Sequence, residues 1–197
     1  KFNGKIYYGF KGDTLASALI ANDVHLVGRS FKYHRPRGIM TAGSEEPNAI
    51  VQVNANTAYT EPNVRATEIE IYEGLVATSQ NCWPNVQFDV GGINNILSPF
   101  LPAGFYYKTF MWPANFWEKY EYIIRHSAGL GKSPKLADPD IYDHKYIHCD
   151  VLVIGAGIAG IIAAKIAAKN NLKTLILDEK TEIGGTTIYQ NSDNFKI

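Results

Sequence analysis

Hydrophobic and polar positions in the first 80 residues follow short strand-like and helical patterns. The opening residues alternate around Asn3-Gly4, a dipeptide that favours a two-residue hairpin turn. The segment Gly12-Asp13-Thr14 offers an N-cap before apolar residues at helical spacing, which predicts a helix that ends near Asn22-Asp23. Alternation within Ala49–Asn54 and Thr67–Tyr72 predicts two strands. These elements together predict a small α+β domain.

Residues 81–148 have a different composition and are expected to connect two domains. They are rich in aromatic residues, proline and glycine, and most of them lack a regular hydrophobic period. One short helix is predicted from about Pro113 to Ser127, with Gly129 ending it.

From residue 149 onward the pattern predicts a strand, a glycine-rich loop, a helix and a second strand. The apolar runs Asp150–Ile154 and Thr174–Leu177 are the strands, and Ile161–Lys169 is the Ala- and Ile-rich helix. Between them lies a G-x-G-x-x-G loop with an acidic residue about 20 residues further on, the pattern of a dinucleotide-binding unit.

Each residue type in this pattern has a physical role. Gly155 makes the tight turn, Gly157 lets the backbone approach a pyrophosphate, and Gly160 allows the helix to pack closely on the strand. The helix N-terminus near Ile158 directs free N–H groups at the phosphates. Asp178 is predicted to bind a ribose diol, which favours NAD or FAD over NADP; Glu179 is the competing acid, and a ligand-free α/β turn is the alternative.

A second glycine pair follows the acid. An acid followed closely by Gly184-Gly185 resembles the flavoprotein disulfide-reductase and amine-oxidase type, in which this pair also approaches the phosphates. Two strands and one helix cannot bury their apolar faces, so we expect an incomplete domain belonging to a longer polypeptide. The predicted cofactor-binding residues are Gly155, Ala156, Gly157, Ile158, Ala159, Gly160, Asp178, Glu179, Gly184 and Gly185.

The amino-acid composition limits the kinds of partner and site that the chain is expected to have. Lys+Arg and Asp+Glu both number 19, which argues against a nucleic-acid or membrane partner. Cys82 and Cys149 are too few for a disulfide scaffold and fit reduced thiols in the cytoplasm. Among the five histidines, His144 and His148 are four residues apart, but they lie so close to the predicted strand that no metal site is expected there. A basic loop is interpreted either as a solvated surface or as a contact for flavin phosphate or another subunit; it contains Arg29, Lys32, His34, Arg35 and Arg37.

The first domain resembles the small ferredoxin-type domain joined to amine-oxidising flavoproteins. The resemblance rests on the hairpin, the helix start at residues 12–15, and the segments Arg35–Gly38 and Glu61–Ala66. Members that hold a [2Fe–2S] cluster use cysteines spaced C-x4-C-x2-C…C. That spacing falls here on Thr41, Glu46, Ala49 and Thr67. The resemblance therefore implies a ferredoxin-like (β-grasp) fold without an iron–sulfur cluster.

Three longer stretches are similar to the alpha subunits of heterotetrameric sarcosine oxidases: Gly28–Ile39, Thr41–Asn48 and Leu101–Pro113. The resemblance implies a complex that demethylates sarcosine with O₂, giving glycine, hydrogen peroxide, and formaldehyde or methylene-tetrahydrofolate. It implies NAD on this chain, with FAD as the alternative, and FMN at the interface with the beta subunit. Beta, gamma and delta subunits would be partners, with the amine site on the beta subunit and no catalytic residue assigned here.

The expected architecture is a ferredoxin-like α+β domain at 1–80, a connecting segment at 81–148, and the start of an α/β Rossmann-type FAD/NAD(P)-binding domain at 149–197. Two other interpretations stay open. One is a subunit of a related opine, proline or cyanide-forming flavin dehydrogenase, against which the missing cluster cysteines count. The other is a non-catalytic scaffold, and by itself this piece is expected to be inactive.

Overall fold

The computed structural model describes residues 1–104, 110, 112–131, 133–180 and 182–189. They form two compact units, Lys1–Pro139 and Asp140–Ile197, and each is described by itself. The predicted three-part division at residues 80 and 148 stays a prediction. Within the described ranges, no helix is long and apolar enough to cross a membrane.

The first unit combines short helices with short antiparallel strands. Its helices are α1 (Leu15–Ala21), α2 (Ile93–Ile96) and α3 (Trp117–Ser127). Its strands are β1 (Gly28–Arg29), β2 (Pro36–Arg37), β3 (Ile50–Val53), β4 (Glu61–Arg65) and β5 (Ala77–Ser79). Strand β3 is central in the sheet order β4-β3-β5, and β1 pairs with β2 separately.

Helix α1 begins where the sequence predicts. The Thr14 hydroxyl oxygen accepts a hydrogen bond from Ser17 N at 3.1 Å, and the Ser17 hydroxyl oxygen accepts one from Thr14 N at 3.0 Å. This reciprocal cap satisfies N–H groups that have no partner inside the helix. Leu15 and Leu19 are buried and join a core that includes Val51 of β3. The predicted capped helix and the strand within Ala49–Asn54 are thus confirmed.

The predicted strand at Thr67–Tyr72 is wrong. A strand lies just before it, at Glu61–Arg65, and the later segment has only a single bridge, between Glu70 and Thr14. Ile69 and Ile71 pack against the core from an irregular backbone, which is tied to α1 because Leu15 N donates to Ile69 O at 2.8 Å. Ile69 and Ile71 are therefore partly buried although this segment is not paired along its length with a neighbouring strand.

The basic loop binds the segment that follows the sheet. The Arg29 guanidinium donates to Val86 O at 2.7 Å and Gln87 O at 3.0 Å, and His34 Nδ1 lies 2.6 Å from Asp89 Oδ2 with both side chains buried. Further bonds run from Lys32 Nζ to Pro102 O, from Tyr33 OH to Leu101 O and from Arg35 Nε to Asn95 Oδ1. The side chains of Arg29, Lys32, His34 and Arg35 are therefore bonded to residues 86–102 rather than only solvated.

The second unit has the predicted order of strand, helix and strand. Strand β6 (Val151–Ile154) pairs in parallel with β7 (Thr174–Leu177), and helix α4 (Ile158–Lys169) connects them. The helix begins at Ile158, directly after the second glycine of the loop and at the predicted N-terminus, so its first turn precedes the Ala- and Ile-rich run. Ile154 is 83% exposed, which agrees with the expectation that this small unit cannot bury its own apolar faces.

A buried carboxylate organises residues 40–49 of the first unit. Glu46 is 1% exposed. Its Oε2 accepts from Met40 N at 2.8 Å and Thr41 N at 2.7 Å, and its Oε1 accepts from Asn48 N at 2.8 Å and Ala49 N at 3.2 Å. Burial alone raises the pKa of a carboxyl, but these four N–H donors outweigh it and hold the pKa of Glu46 below its usual range.

Replacing this carboxylate is expected to weaken the fold in a pH-dependent way. Glu46→Gln should lower the free energy of unfolding near pH 7 by about 2 kcal/mol, because the N–H groups lose a charged acceptor. Because the folded-state pKa is lowered, the contribution is fully present above the unfolded pKa of about 4.3 and is lost as pH falls through the folded pKa.

Urea unfolding between pH 3 and pH 8 measures this difference, with the exposed Glu45→Gln as the control. The gap between wild type and Glu46→Gln should be constant above about pH 5 and should shrink below about pH 4.3. A gap that stays constant down to pH 3 would contradict the assignment.

Candidate functional site

Two glycines of the loop are required by the chain itself. Gly155 has φ +96°, a left-handed conformation that favours glycine. A Cβ on Gly160 would lie 1.9 Å from the carbonyl oxygen of Gly155, far closer than any real contact. The turn between β6 and α4 therefore requires glycine at position 155, and the close packing of α4 on that turn requires glycine at position 160.

Gly157 has no such internal explanation. Its φ is −68°, which any residue adopts, and among the described residues a Cβ there would meet nothing within 4 Å. Gly157 is also the N-cap of α4, and it supplies no side-chain cap for the first N–H groups of the helix. A group from outside the chain that approaches this backbone would explain why the position lacks a side chain.

Asp178 is held beside the same loop. Its Oδ2 accepts from Ala156 N at 2.5 Å, and its Oδ1 accepts from Lys180 N at 2.8 Å. The bond from Ala156, followed by that from Lys180, holds the pKa of this carboxyl below its usual range, so Asp178 is ionised at neutral pH. Glu179 occupies the next, exposed position. The geometry ties Asp178 to the glycine loop by a direct bond from its backbone.

The glycine pair at 184–185 packs on the loop from the other side. Gly184 N donates to Ala156 O at 2.8 Å, and Gly184 forms a parallel bridge with Gly157. Both glycines have positive φ, +130° and +57°, and a Cβ on Gly185 would lie 3.0 Å from the Gly157 Cα. The loop, Asp178 and this pair therefore form one continuous surface around Gly157.

Sequence reasoning missed Thr187. Its hydroxyl donates to Gly184 O at 2.6 Å and closes the turn that presents the glycine pair. Ile158 and Ala159, by contrast, lie in the first turn of α4, where their backbone was predicted to face a ligand. A threonine two residues after Gly-Gly is the signal that points to this closing bond.

The residues that form this surface include no cysteine or histidine. Burial raises the pKa of the Cys82 thiol to about 11, and the nearby Asp89 carboxylate adds to the effect while Arg29 opposes it. No group of three or more His, Cys, Asp or Glu side chains in the described ranges is arranged to hold a metal ion. Cys82 is thus a poor nucleophile at neutral pH.

Alkylation of Cys82 should follow its raised pKa. In a Cys149→Ser variant, we expect iodoacetamide to alkylate Cys82 at pH 8 roughly 1,000-fold more slowly than at a pH where the thiol is fully ionised. The reason is that only about one thiol in 1,000 is ionised at pH 8. The rate should rise about tenfold per pH unit until near pH 11. A plateau at pH 9 would show that the thiol is far more acidic.

Two of the loop glycines should respond differently to a methyl group. Gly160→Ala is expected to cost about 3 kcal/mol or more, because the carbonyl of Gly155 must move. Gly157→Ala should change the free energy of unfolding by less than about 1 kcal/mol, because the space is open and the φ is ordinary. Chemical denaturation of both variants measures this contrast, and equal losses would contradict it.

Two protein families match successive parts of the chain. Residues 1–82 match the 2Fe-2S iron-sulfur cluster binding domain, and residues 150–195 match the FAD dependent oxidoreductase family. The second match contains the glycine loop, Asp178 and the glycine pair. Successive parts of the chain are thus similar to a 2Fe–2S domain and to part of an FAD-dependent oxidoreductase.

Individual relatives match nearly the whole chain. The sarcosine oxidase subunit alpha of Rhizobium meliloti (strain 1021) is 57% identical over 188 residues, covering 95% of this chain and 19% of the relative. That of Corynebacterium sp. (strain U-96) is 34% identical over 186 residues, covering 93% and 14%. The crystal structure of L-proline dehydrogenase from P. horikoshii aligns with a TM-score of 0.44 at 19% identity, over 93% of this chain and 25% of that one.

The chain spans about a fifth or less of the length of these sarcosine oxidase subunits. Within that span the similarity is continuous across both units, including the 2Fe–2S-type domain and the glycine loop. Over 95% of its length, the chain is a homologue of the alpha subunit of sarcosine oxidase.

Proposed function

We propose that this chain is part of the alpha subunit of a cytoplasmic sarcosine oxidase complex. The complex would demethylate sarcosine with O₂, giving glycine, hydrogen peroxide, and formaldehyde or methylene-tetrahydrofolate. In this proposal residues 1–80 form a ferredoxin-like β-grasp domain and residues 149–197 begin a Rossmann-type domain. The chain contributes the binding of a dinucleotide and of other subunits rather than the oxidation of the amine.

The observation that carries the dinucleotide proposal is the unexplained glycine at position 157. Its open surroundings at the uncapped start of α4 fit a pyrophosphate, which the N–H groups of the first turn and the helix dipole would bind. Asp178 is an ionised acceptor beside the same backbone, and it suits a ribose diol. A 2′-phosphate would be repelled there, so NADP is disfavoured.

Two dinucleotides fit these residues equally well, because both contain the ADP group that they would bind. The resemblance to sarcosine oxidase alpha subunits favours NAD. The match of residues 150–195 to FAD-dependent oxidoreductases favours FAD. Either group supplies a ring that accepts a hydride when it is bound, whereas this chain's residues hold the phosphates and the ribose.

The remaining partners belong to the same proposal. FMN would lie at the interface with the beta subunit, which would also carry the amine site, and gamma and delta subunits would complete the complex. The relatives' designation as a subunit supports assembly with other chains. A related opine, proline or cyanide-forming dehydrogenase is disfavoured, because Thr41, Glu46, Ala49 and Thr67 occupy the cluster-ligand positions.

Identification of the released dinucleotide tests the proposal. The full-length chain is purified with its partner subunits and denatured, and the supernatant is analysed by chromatography for wild type and Gly157→Ala. We expect one equivalent of NAD from wild type and a loss of at least tenfold in the variant, whose fold should be intact. FAD instead of NAD would assign the site to a flavin, and no dinucleotide from wild type would leave a non-catalytic scaffold.

The two neighbouring acids can be separated by matched substitutions. Asp178→Asn should weaken dinucleotide binding roughly tenfold or more, since one strong hydrogen bond to a ribose hydroxyl is lost. Glu179→Gln tests the competing assignment, and the exposed Glu182→Gln controls for the loss of one negative charge. Calorimetry on the dinucleotide-stripped complex measures the affinity of each variant. If only Glu179→Gln bound the dinucleotide more weakly, the Asp178 assignment would be rejected.

A further inference from the structure

The first unit matches a family named for a cluster that its residues do not fit. A [2Fe–2S] cluster needs four thiolates, or two thiolates and two histidines. The C-x4-C-x2-C…C spacing places two hydroxyls, a carboxylate and a methyl group at the four positions, on Thr41, Glu46, Ala49 and Thr67. This donor set cannot hold the cluster, so no electron transfer is assigned to this domain.

The fold nevertheless ties these four positions to a single loop. The Glu46 carboxylate accepts from both Thr41 N and the Thr41 hydroxyl, at 2.7 and 3.2 Å, and from Ala49 N at 3.2 Å. The Thr67 hydroxyl donates to Gly43 O at 2.7 Å, which fixes the same loop from the far side. Glu46, Ala49 and Thr67 are each no more than 1% exposed.

Backbone N–H groups, rather than a cation, stabilise the buried charge. Arg65 is the nearby cation, but its Nε donates to the main-chain oxygen of Glu46 at 3.0 Å and its Nη1 lies 3.4 Å from Glu68 Oε2. An ionised carboxylate only accepts hydrogen bonds, as do the sulfur atoms of a thiolate-bound cluster. Both are anions, and both suit a loop that directs its N–H groups inward.

We propose that the Glu46 carboxylate is an internal substitute for the cluster, holding residues 40–49 in the closed shape that four cysteine ligands require. Glu46 occupies one of the four ligand positions, and its carboxylate accepts hydrogen bonds from the backbone of two others, Thr41 and Ala49. The loop is therefore a cluster-type loop closed by the chain's own anion.

The test restores the four ligands in the full-length chain, purified with its partner subunits. The variant Thr41→Cys, Glu46→Cys, Ala49→Cys, Thr67→Cys is incubated without oxygen with ferric iron and sulfide. Two Fe³⁺, two sulfides and four thiols form a cluster of net charge −2 and release four protons. We expect two irons and two acid-labile sulfides per chain, visible absorption, and an S = 1/2 electron paramagnetic resonance signal after reduction.

The matched control retains Thr67 and carries only the other three cysteines. It should bind at least tenfold less iron and give no paramagnetic signal, which separates a built site from iron bound at loose thiols. A folded four-cysteine variant that takes up no more iron than this control would overturn the proposal, because the loop would then lack the cluster geometry.

A second measurement covers failure of the four-cysteine variant to fold. Glu46→Gln should lower the unfolding temperature of the complex's first unit by roughly 5 °C or more, whereas the exposed Glu45→Gln should not. Equal unfolding temperatures for the two variants would overturn the role of Glu46 independently. Neither readout depends on which dinucleotide the second unit binds.

Discussion

The geometry of the second unit depends on one close approach, between the carbonyl oxygen of Gly155 and the Cα of Gly160. A side chain at residue 160 would begin 1.9 Å from that oxygen, so the first turn of α4 lies directly on the end of β6. This contact directs the helix N-terminus along the loop. It also leaves Ala156 in position to donate to Asp178 and to accept from Gly184. The continuous surface around Gly157, formed by the loop, Asp178 and the glycine pair, follows from this packing.

The two units apply the same chemistry in opposite ways. In each, backbone N–H groups converge where a negative charge is or can be stabilised. In the first unit the chain supplies that charge from Glu46, and the side chain is almost fully buried. In the second, Asp178 bonds the flank of the loop while Gly157 leaves the helix start without a side chain. One loop is closed by the protein's own carboxylate, and the other is the loop that we propose binds a dinucleotide.

The sequence predicted the second unit well because its signals are local. The strand, glycine loop, helix and strand are set by periodicity and by glycines within about 30 residues, and the structure has them in that order. The first unit was less predictable. Ile69 and Ile71 alternate like a strand but are buried from an irregular segment, so the hydrophobic period alone could not distinguish the two.

Long-range bonds were the other source of difficulty. The sequence allows the basic loop with Arg29 and His34 to be a solvated surface or a contact for flavin phosphate or another subunit. Their partners in the structure, Val86 and Asp89, lie more than 50 residues further along the chain. Glu46 could be identified at a ligand position, but its bonds depend on how the loop folds around it. No spacing rule encodes that four backbone N–H groups will meet one carboxylate, since every residue but proline carries such a group.

The buried Glu46 has a consequence for how such a domain changes over evolutionary time. If the carboxylate is removed before all four thiols are present, the N–H groups around it have no charged acceptor and no cluster to replace it. A change at Glu46 that precedes the other three cysteines then passes through a weakened fold. A domain that holds its own anion in this loop is thus kept away from metal chemistry by its own stability.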